Sequence, residues 1–181
     1  MRGNLLVATP DLEDPNFART VVLVLEHSPE GAVGVVLNRP SPTPLGEGMA
    51  RWVPLAASPA QIFVGGPVEA DAAIGLGRAV PGSEREPGAQ PLFGSILTVD
   101  LGSDPALVGA DLDAVRVFAG YAGWGPGQLD DEVLADGWFV LERTDADVFT
   151  KTPERLWREV LRRQPGPLRL LSTFPADPSS N

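Results

Sequence analysis

Two apolar runs separated by a short turn are the feature that most constrains the fold of this chain. Residues 20–27 (TVVLVLEH) and 32–38 (AVGVVLN) are rich in β-branched side chains and leucine, and residues 28–31 (SPEG) lie between them. An almost unbroken apolar run of this length is typical of a strand that is covered on both faces. Because proline and glycine are common turn residues, the sequence predicts a β-hairpin at the centre of a sheet.

Apolar segments elsewhere in the chain predict that the sheet has more strands. The expected strands are residues 3–8, 61–64, 72–79, 92–101, 114–120 and 138–142. Short helices are expected among them, at residues 45–52 and after Asp104, which is placed to cap a helix that begins at Pro105. Because strands and helices do not alternate regularly, this order indicates an α+β fold.

A C-terminal amphipathic helix is predicted after Pro153. Its apolar face is formed by Leu156, Trp157, Val160 and Leu161. Two glutamate–arginine pairs have the i,i+4 spacing that favours ion pairs on a helix, namely Glu154–Arg158 and Glu159–Arg163. Beyond Phe174 the residues are mainly proline, serine, aspartate and asparagine, which is typical of a frayed end. We therefore expect one compact domain over residues 1–174 and a frayed tail over residues 175–181.

The charge balance argues against a nucleic-acid or membrane partner. The 181 residues include 24 acidic and 14 basic side chains, for a formal net charge of −10, which opposes the approach of a phosphate backbone. The main basic cluster is interleaved with glutamates and is interpreted as a solvated helix face; it comprises Arg155, Arg158, Arg162, Arg163 and Arg169. No apolar run reaches the roughly 20 residues that a membrane-spanning helix needs, so we expect no membrane-spanning segment.

Few side chains are available for catalysis or metal binding. The chain has no cysteine, which excludes disulfides, thiolate metal sites and a cysteine nucleophile. His27 is the only histidine, and its place at the end of a buried strand favours an ordinary strand-end residue over a catalytic one. An acidic turn lacks the calcium-loop pattern and contains Asp11, Glu13 and Asp14. We expect no metal, no cofactor and no catalytic residue.

A glycine-rich segment with two large aromatic side chains, residues 120–129 (GYAGWGPGQL), is the most distinctive part of the chain. It follows a predicted strand and precedes a short acidic helix, so it is predicted to be a turn between them. Its spacing matches neither the P-loop nor the dinucleotide-binding pattern, and the acids at 130–132 would repel a phosphate group. The segment is therefore interpreted as a turn that either packs Tyr121 and Trp124 onto the core or presents them to a partner.

Five separated parts of the chain have an order and spacing that resemble one family. They are GNLLVA at 3–8 with DPNF at 14–17, VLVLEH at 22–27, GVVLNRP at 34–40, FVGGPV at 63–68, and the motif at 120–129. Together they resemble the YqgE/AlgH family of small bacterial proteins over residues 3–165. The resemblance implies a bifurcated mixed β-sheet surrounded by short helices, in a bacterial cytoplasmic protein. It supplies no activity, although one member's name derives from transcriptional control of polysaccharide synthesis.

Strand-end turns with polar or aromatic tips predict a ligand or partner surface, because loops commonly carry function. The candidate residues are Asn38, Arg39, Gly65, Gly66, Pro67, Tyr121, Trp124 and Gln128. The favoured hypothesis is a non-enzymatic binding or regulatory protein that uses this surface to bind an unknown protein or small molecule. The alternatives are a carboxylate-based hydrolase of unknown substrate and a transcription-linked regulator.

Overall fold

The computed structural model describes residues 1–82, 89–108 and 111–174, so the predicted tail at residues 175–181 lies outside the described residues. Within these ranges ten strands form one sheet, and short helices are inserted between the strands. This irregular insertion confirms the α+β fold that the order of apolar segments predicts.

The predicted hairpin is present as strands β2 (Val21–Ser28) and β3 (Gly31–Val36). They pair antiparallel, with Leu23 opposite Val35. Residues 21–25 are all buried, and alternate side chains of β2 enter two different apolar clusters on the two faces of the sheet. The strand is therefore covered on both faces, as its continuous apolar sequence predicts.

Eight further strands extend the sheet on both sides of this hairpin. In chain order they are β1 (Leu5–Ala8), β4 (Pro40–Pro44), β5 (Gln61–Val64), β6 (Val68–Ala79), β7 (Ala89–Phe93), β8 (Ile96–Val99), β9 (Leu112–Trp124) and β10 (Trp138–Leu141). Their spatial order is β10-β1-β2-β3-β9-β6-β8-β7, and β4 and β5 form a side branch that joins the sheet at β9.

The sheet divides along β9, which is 13 residues long. The middle of β9 pairs in parallel with β5, with Phe63 opposite Phe118, whereas its last residues pair antiparallel with β3, with Ala32 opposite Trp124. The other edge of β9 pairs with β6. Because β3 and β5 occupy successive parts of one edge, the sheet is mixed and branches where they separate.

Short helices complete the described part of the chain. They are α1 (Gly46–Met49), α2 (Pro105–Val108), α3 (Gln128–Leu134), α4 (Asp145–Val148), α5 (Leu156–Arg162) and α6 (Leu168–Leu171), with 3-10 helices at Ala50–Leu55 and Pro153–Arg155. The predicted apolar face of α5 is buried, and Asp104 accepts a hydrogen bond from the N–H of Ala106 at the start of α2. No helix among the described residues is both long and apolar enough to span a bilayer.

One predicted strand is wrong, because residues 92–101 do not form a continuous strand. The chain reverses after β7, so that β7 and β8 pair antiparallel as a hairpin. Gly94 lies at this reversal with φ +58°, a left-handed conformation that glycine adopts without a steric penalty. A single glycine between two apolar segments does not distinguish such a turn from a strand in the sequence.

Candidate functional site

Strand β9 continues through the first five residues of the glycine–aromatic motif, so the predicted start of the turn at residue 120 is wrong and the turn follows Trp124. The pairing of residues 122–124 with β3 keeps the backbone extended as far as Trp124. Successive residues of a strand point to opposite faces, so Tyr121 and Trp124 lie on opposite sides of the sheet. Trp124 is buried in one apolar cluster, and Tyr121 packs at the border of the other.

Glycines on both sides of the branch point of the sheet, Gly65, Gly66 and Gly120, permit close backbone contact. A Cβ atom on Gly65 would lie 2.2 Å from the carbonyl oxygen of Gly120, and one on Gly66 would lie 2.2 Å from the carbonyl carbon of Tyr121. The N–H of Gly65 donates to Ala119 at 2.8 Å, and the carbonyl of Gly65 accepts from Val36 at 2.8 Å. Gly65 thus joins β9 to the end of β3 at a place where no side chain fits.

Asn38 and Arg39 hold the loop between β1 and β2. The side chain of Asn38 accepts from the N–H of Val21 at 2.9 Å and donates to the carbonyl of Arg19 at 2.9 Å. Arg39 donates to the carbonyls of Pro15 at 2.9 Å and Ala18 at 3.2 Å. Both side chains are therefore committed to backbone groups of this loop.

The loop held in this way carries Phe17 onto two tryptophans. The ring of Phe17 stacks on Trp124 at 6.1 Å between centroids and meets Trp138 edge-on at 5.5 Å. Trp124 and Trp138 also meet edge-on, at 6.1 Å. Such aromatic pairs contribute roughly 0.5–1.5 kcal/mol each beyond the burial of their surface. The trio therefore ties the β1–β2 loop to the ends of β9 and β10.

A single carboxylate organises the polar side of this aromatic trio. Glu132 Oε2 accepts from the indole N–H groups of Trp124 and Trp138, each at 2.9 Å. Glu132 Oε1 accepts from the side-chain amide of Gln128 at 2.9 Å, and Gln128 accepts in turn from the N–H of Gly125 at 3.0 Å. The network fixes α3 against the two tryptophans and satisfies both buried indole N–H groups.

These side chains border a surface cleft of about 360 Å³, called here the Trp124 cleft. Its lining residues are Leu12, Asp14, Phe17, Gly123, Trp124, Gln128, Glu132, Ala135, Gly137 and Trp138. Three of the ten lining residues are aromatic, two are acidic, and none of those that the structure describes there is basic. This combination suits a group that carries positive charge or N–H donors together with apolar surface.

The predicted site residues do not come together in one groove. Trp124 and Gln128 line the Trp124 cleft, whereas a separate depression of about 50 Å³ is bordered by Arg39, Gly66 and Pro67. Asn38 and Gly65 make the backbone contacts described above. On the opposite face the hydroxyl of Tyr121 donates to Glu69 at 3.3 Å, and burial together with the Glu69 carboxylate raises the pKa of Tyr121.

Of the cleft residues that sequence reasoning did not name as site candidates, four are charged or aromatic: Asp14, Phe17, Glu132 and Trp138. Asp14 and Phe17 lie in the DPNF segment that supports the family resemblance, and Glu132 follows Gln128 at i,i+4 spacing. Trp138 carried no such signal, because its contact with Trp124 depends on strand pairing. A role for any of the candidate residues in binding stays a prediction.

The residues considered for catalysis or metal binding make contacts of the kind found on most protein surfaces. His27 Nε2 lies 3.3 Å from a carboxylate oxygen of Asp130, and His27 Nδ1 lies 3.5 Å from the amino group of Met1. Among the described residues, no three acidic or histidine side chains are grouped so that they could hold a metal ion. The acidic turn instead contributes Asp14 to the cleft, where its carboxylate accepts from the N–H of Asn16 at 2.7 Å.

Comparisons with known proteins agree with this architecture. A UPF0301 protein of Streptomyces coelicolor is 52% identical, over 100% of this chain and 95% of its own length. A protein of Corynebacterium diphtheriae, known from its crystal structure, superimposes with a TM-score of 0.90 at 36% identity, over 96% of this chain and 92% of that one. The solution structure of the AlgH protein from Pseudomonas aeruginosa matches with a TM-score of 0.67 at 30% identity, over 97% and 94% of the two chains.

The family assignment rests on nearly the whole described structure. The AlgH-like family model matches residues 5–169, which include every strand of the sheet and all the side chains of the Trp124 cleft. The resemblance drawn from the separated sequence segments is thereby confirmed. The chain belongs to the AlgH-like family of UPF0301 proteins.

Proposed function

We propose that this is a cytoplasmic, non-enzymatic binding protein with a regulatory role, and that it binds its partner through the Trp124 cleft. The single observation that carries the proposal is an aromatic cleft whose lining has two acidic residues and, among those described, no basic one. The partner, a protein or a small molecule, presents a basic or N–H-bearing group to this cleft.

The chemistry of the cleft supports a cationic group. A guanidinium or ammonium group near an aromatic face gains roughly 0.5–1 kcal/mol at an exposed site and about 2 kcal/mol when it loses its water. Asp14 is exposed, so its carboxylate is available at the rim to pair with such a group. The net charge of −10 attracts a basic partner at long range and speeds the encounter.

The rigidity of the cleft also supports binding. Glu132 orients both tryptophans, and Arg39 secures the loop that carries Phe17 and Asp14. Walls that are already ordered lose little conformational entropy when a partner binds, so more of the contact energy becomes affinity.

A carboxylate-based hydrolase is the second candidate, because Asp14 and Glu132 line the same cleft. The surroundings of Glu132 disfavour it, since three N–H donors already occupy the carboxylate. If the protein were a hydrolase acting on p-nitrophenyl acetate or p-nitrophenyl phosphate, Asp14→Asn would abolish turnover and Glu13→Gln would not. We expect no turnover by the wild-type protein above the rate of the uncatalysed reaction.

A transcription-linked role would be indirect under this proposal. The net charge of −10 opposes contact with the phosphate backbone, and the proposed site favours basic partners. The protein would then influence transcription by binding another protein or a small effector, without touching DNA itself.

Two substitutions on adjacent residues of α3 and its C-terminus test the cleft directly. Ala135 is exposed and lines the cleft, so Ala135→Lys places an ammonium group among the carboxylates and occupies the site. Leu134 is 82% exposed and does not line the cleft, so Leu134→Lys adds the same charge as a matched control. Each variant is purified gently from its own bacterial host and analysed by native mass spectrometry beside the wild-type protein.

The expected result is a bound species on the wild-type protein and on Leu134→Lys that is absent from Ala135→Lys. Extra mass of small-molecule size identifies a small ligand, and a second chain identifies a protein partner. Equal retention by the two lysine variants, or a bare chain in all three samples, would contradict the proposal.

A further inference from the structure

The arginines of the C-terminal region gather on one exposed surface, although the protein as a whole is acidic. Arg155, Arg158 and Arg162 are exposed and spaced i, i+3 and i+7, so they follow one face of the α5 region. The opposite face of α5 is buried in the core. A helix with one buried face therefore displays three guanidinium groups to solvent on the other.

The ion pairs that the sequence predicts for this helix do not form. Arg163 instead makes a two-fold contact with Asp147, with both N···O distances 2.6 Å. Arg158 donates to the carbonyl of Phe174 at 3.3 Å. Among the described residues, Arg155 and Arg162 have no ion pair or hydrogen bond through their side chains. Within the described ranges, none of the three exposed arginines forms an ion pair with Glu159, the carboxylate of α5.

A groove of about 520 Å³ runs along these side chains, called here the arginine groove. It is lined by Arg155, Arg158, Glu159, Arg162, Ser172 and Thr173. Among the described residues its lining contains three basic side chains and one acidic one, in a chain whose net charge is −10. No described residue lines both this groove and the Trp124 cleft.

The β1–β2 loop brings a fourth guanidinium group to the edge of this groove. Arg19 stacks on Trp157 of α5 at 4.4 Å and donates to the carbonyl of Phe174, the same oxygen to which Arg158 donates. Partial burial and the charge of Arg158 lower the pKa of Arg19. Arg19 also adopts a left-handed backbone conformation with φ +60°, which is uncommon for a residue other than glycine. Like charges are thus held close together, which raises the local positive potential.

We infer that the arginine groove is a binding site for a small phosphate-bearing molecule with two or more phosphate groups. The planar guanidinium fork matches two phosphate oxygens, and three forks along one helix face match a chain of phosphates. The hydroxyl groups of Ser172 and Thr173 donate to backbone carbonyls, so the arginines supply the donors. The volume lies within the usual range for small-molecule sites, roughly 300–1,000 Å³.

The size of the groove and the overall charge favour a small ligand over nucleic acid. Helix α5 has seven residues, which corresponds to a length of about 10 Å, so few phosphates of a duplex would reach its arginines. A long polyanion would also meet the excess of acidic residues on the rest of the protein. A diphosphate or triphosphate group meets neither obstacle.

Inorganic pyrophosphate is the probe that tests this site, by calorimetric titration of the full-length protein at low ionic strength. We expect saturable binding by the wild-type protein and about tenfold weaker binding by Arg162→Gln, since one charge-assisted contact of about 1.4 kcal/mol is lost. Arg51→Gln is the matched control, because Arg51 is exposed, carries the same charge and lies outside the groove. Circular dichroism verifies that both variants are folded.

The proposal is overturned if the wild-type protein does not bind pyrophosphate, or if Arg162→Gln and Arg51→Gln weaken binding equally. Tighter binding of a short DNA duplex than of pyrophosphate, with loss in Arg162→Gln, would assign the groove to nucleic acid instead. Binding that is lost in Arg155→Gln and Arg162→Gln and kept in Arg51→Gln supports the small-ligand site.

Discussion

The carboxylate of Glu132 in the Trp124 cleft accepts hydrogen bonds from three N–H donors. By contrast, the side chains of Arg155 and Arg162 in the arginine groove have neither a hydrogen-bond acceptor nor an ion-pair partner among the described residues. In the cleft, charge is used internally to orient two tryptophans. In the groove, charge is exposed and available to a ligand. A charged side chain that is saturated by internal hydrogen bonds contributes to stability and shape, and one that is unsaturated contributes little stability but attracts an opposite charge.

The two regions are physically connected by the loop between β1 and β2. Phe17 of this loop contacts the tryptophans of the cleft, and Arg19, two residues later, contacts Trp157 beside the groove. Asn38 and Arg39 secure the backbone between them. Substitutions in the cleft, in the loop and in the groove therefore compare an internal hydrogen-bond network with exposed arginine side chains.

The largest effect is expected for Glu132→Ala. This substitution leaves the indole N–H groups of Trp124 and Trp138, both buried, without their acceptor, and each unsatisfied group costs about 1–3 kcal/mol. We expect the free energy of unfolding to fall by about 3 kcal/mol, measured by urea denaturation. Asp131→Ala, an exposed acid on the same helix, serves as the control. Equal losses in the two variants would mean that the carboxylate does not organise the cleft.

An intermediate effect is expected for Asn38→Ala in the connecting loop. The variant loses the acceptor for the N–H of Val21 and the donor to the carbonyl of Arg19, so we expect a loss of about 2 kcal/mol in the free energy of unfolding. Hydrogen exchange of the loop amides should accelerate at residues 14–20. Asn16→Ala, an exposed residue of the same loop, is the control, and unchanged exchange in Asn38→Ala would show that the loop is held by other contacts.

The smallest effect on stability is expected for Arg162→Ala. Because this side chain has no hydrogen bond or ion pair among the described residues, we expect the free energy of unfolding to stay within about 0.5 kcal/mol of the wild-type value. Thermal unfolding followed by circular dichroism measures the change. A loss of the size expected for Glu132→Ala would contradict the contrast, since it would place the groove arginine in an internal network as well.

The sequence predicts much of the fold because strand and helix patterns are local. The apolar runs of β2 and β3, the turn between them and the buried face of α5 all follow from residues close together in the chain. The branch in the sheet was expected only from the family resemblance. The β7–β8 turn and the short helices α4 and α6 were missed, since segments of four residues carry little periodic signal.

The candidate site was predicted less completely because its contacts are distant in sequence. Trp124 and Gln128 belong to the cleft, but Tyr121 lies on the other face, because pairing with β3 extends β9 through the motif. The sequence alone predicts a turn there, since four glycines and a proline are typical of turns. Gly120 instead permits close contact with the backbone of Gly66 and Val68, a requirement that only the partner strands impose, and the turn itself comes after Trp124.

The sequence by itself determined the class of fold, the central hairpin, the amphipathic C-terminal helix and the family, because these depend on local periodicity and on motifs in a fixed order. Tertiary structure alone decided which side chains meet: Phe17 with Trp124 and Trp138, and Arg163 with Asp147. The physical reason is that strand pairing and helix docking set distances between residues far apart in the chain. An ion pair that is favourable on an isolated helix is lost when a less exposed carboxylate is brought within reach.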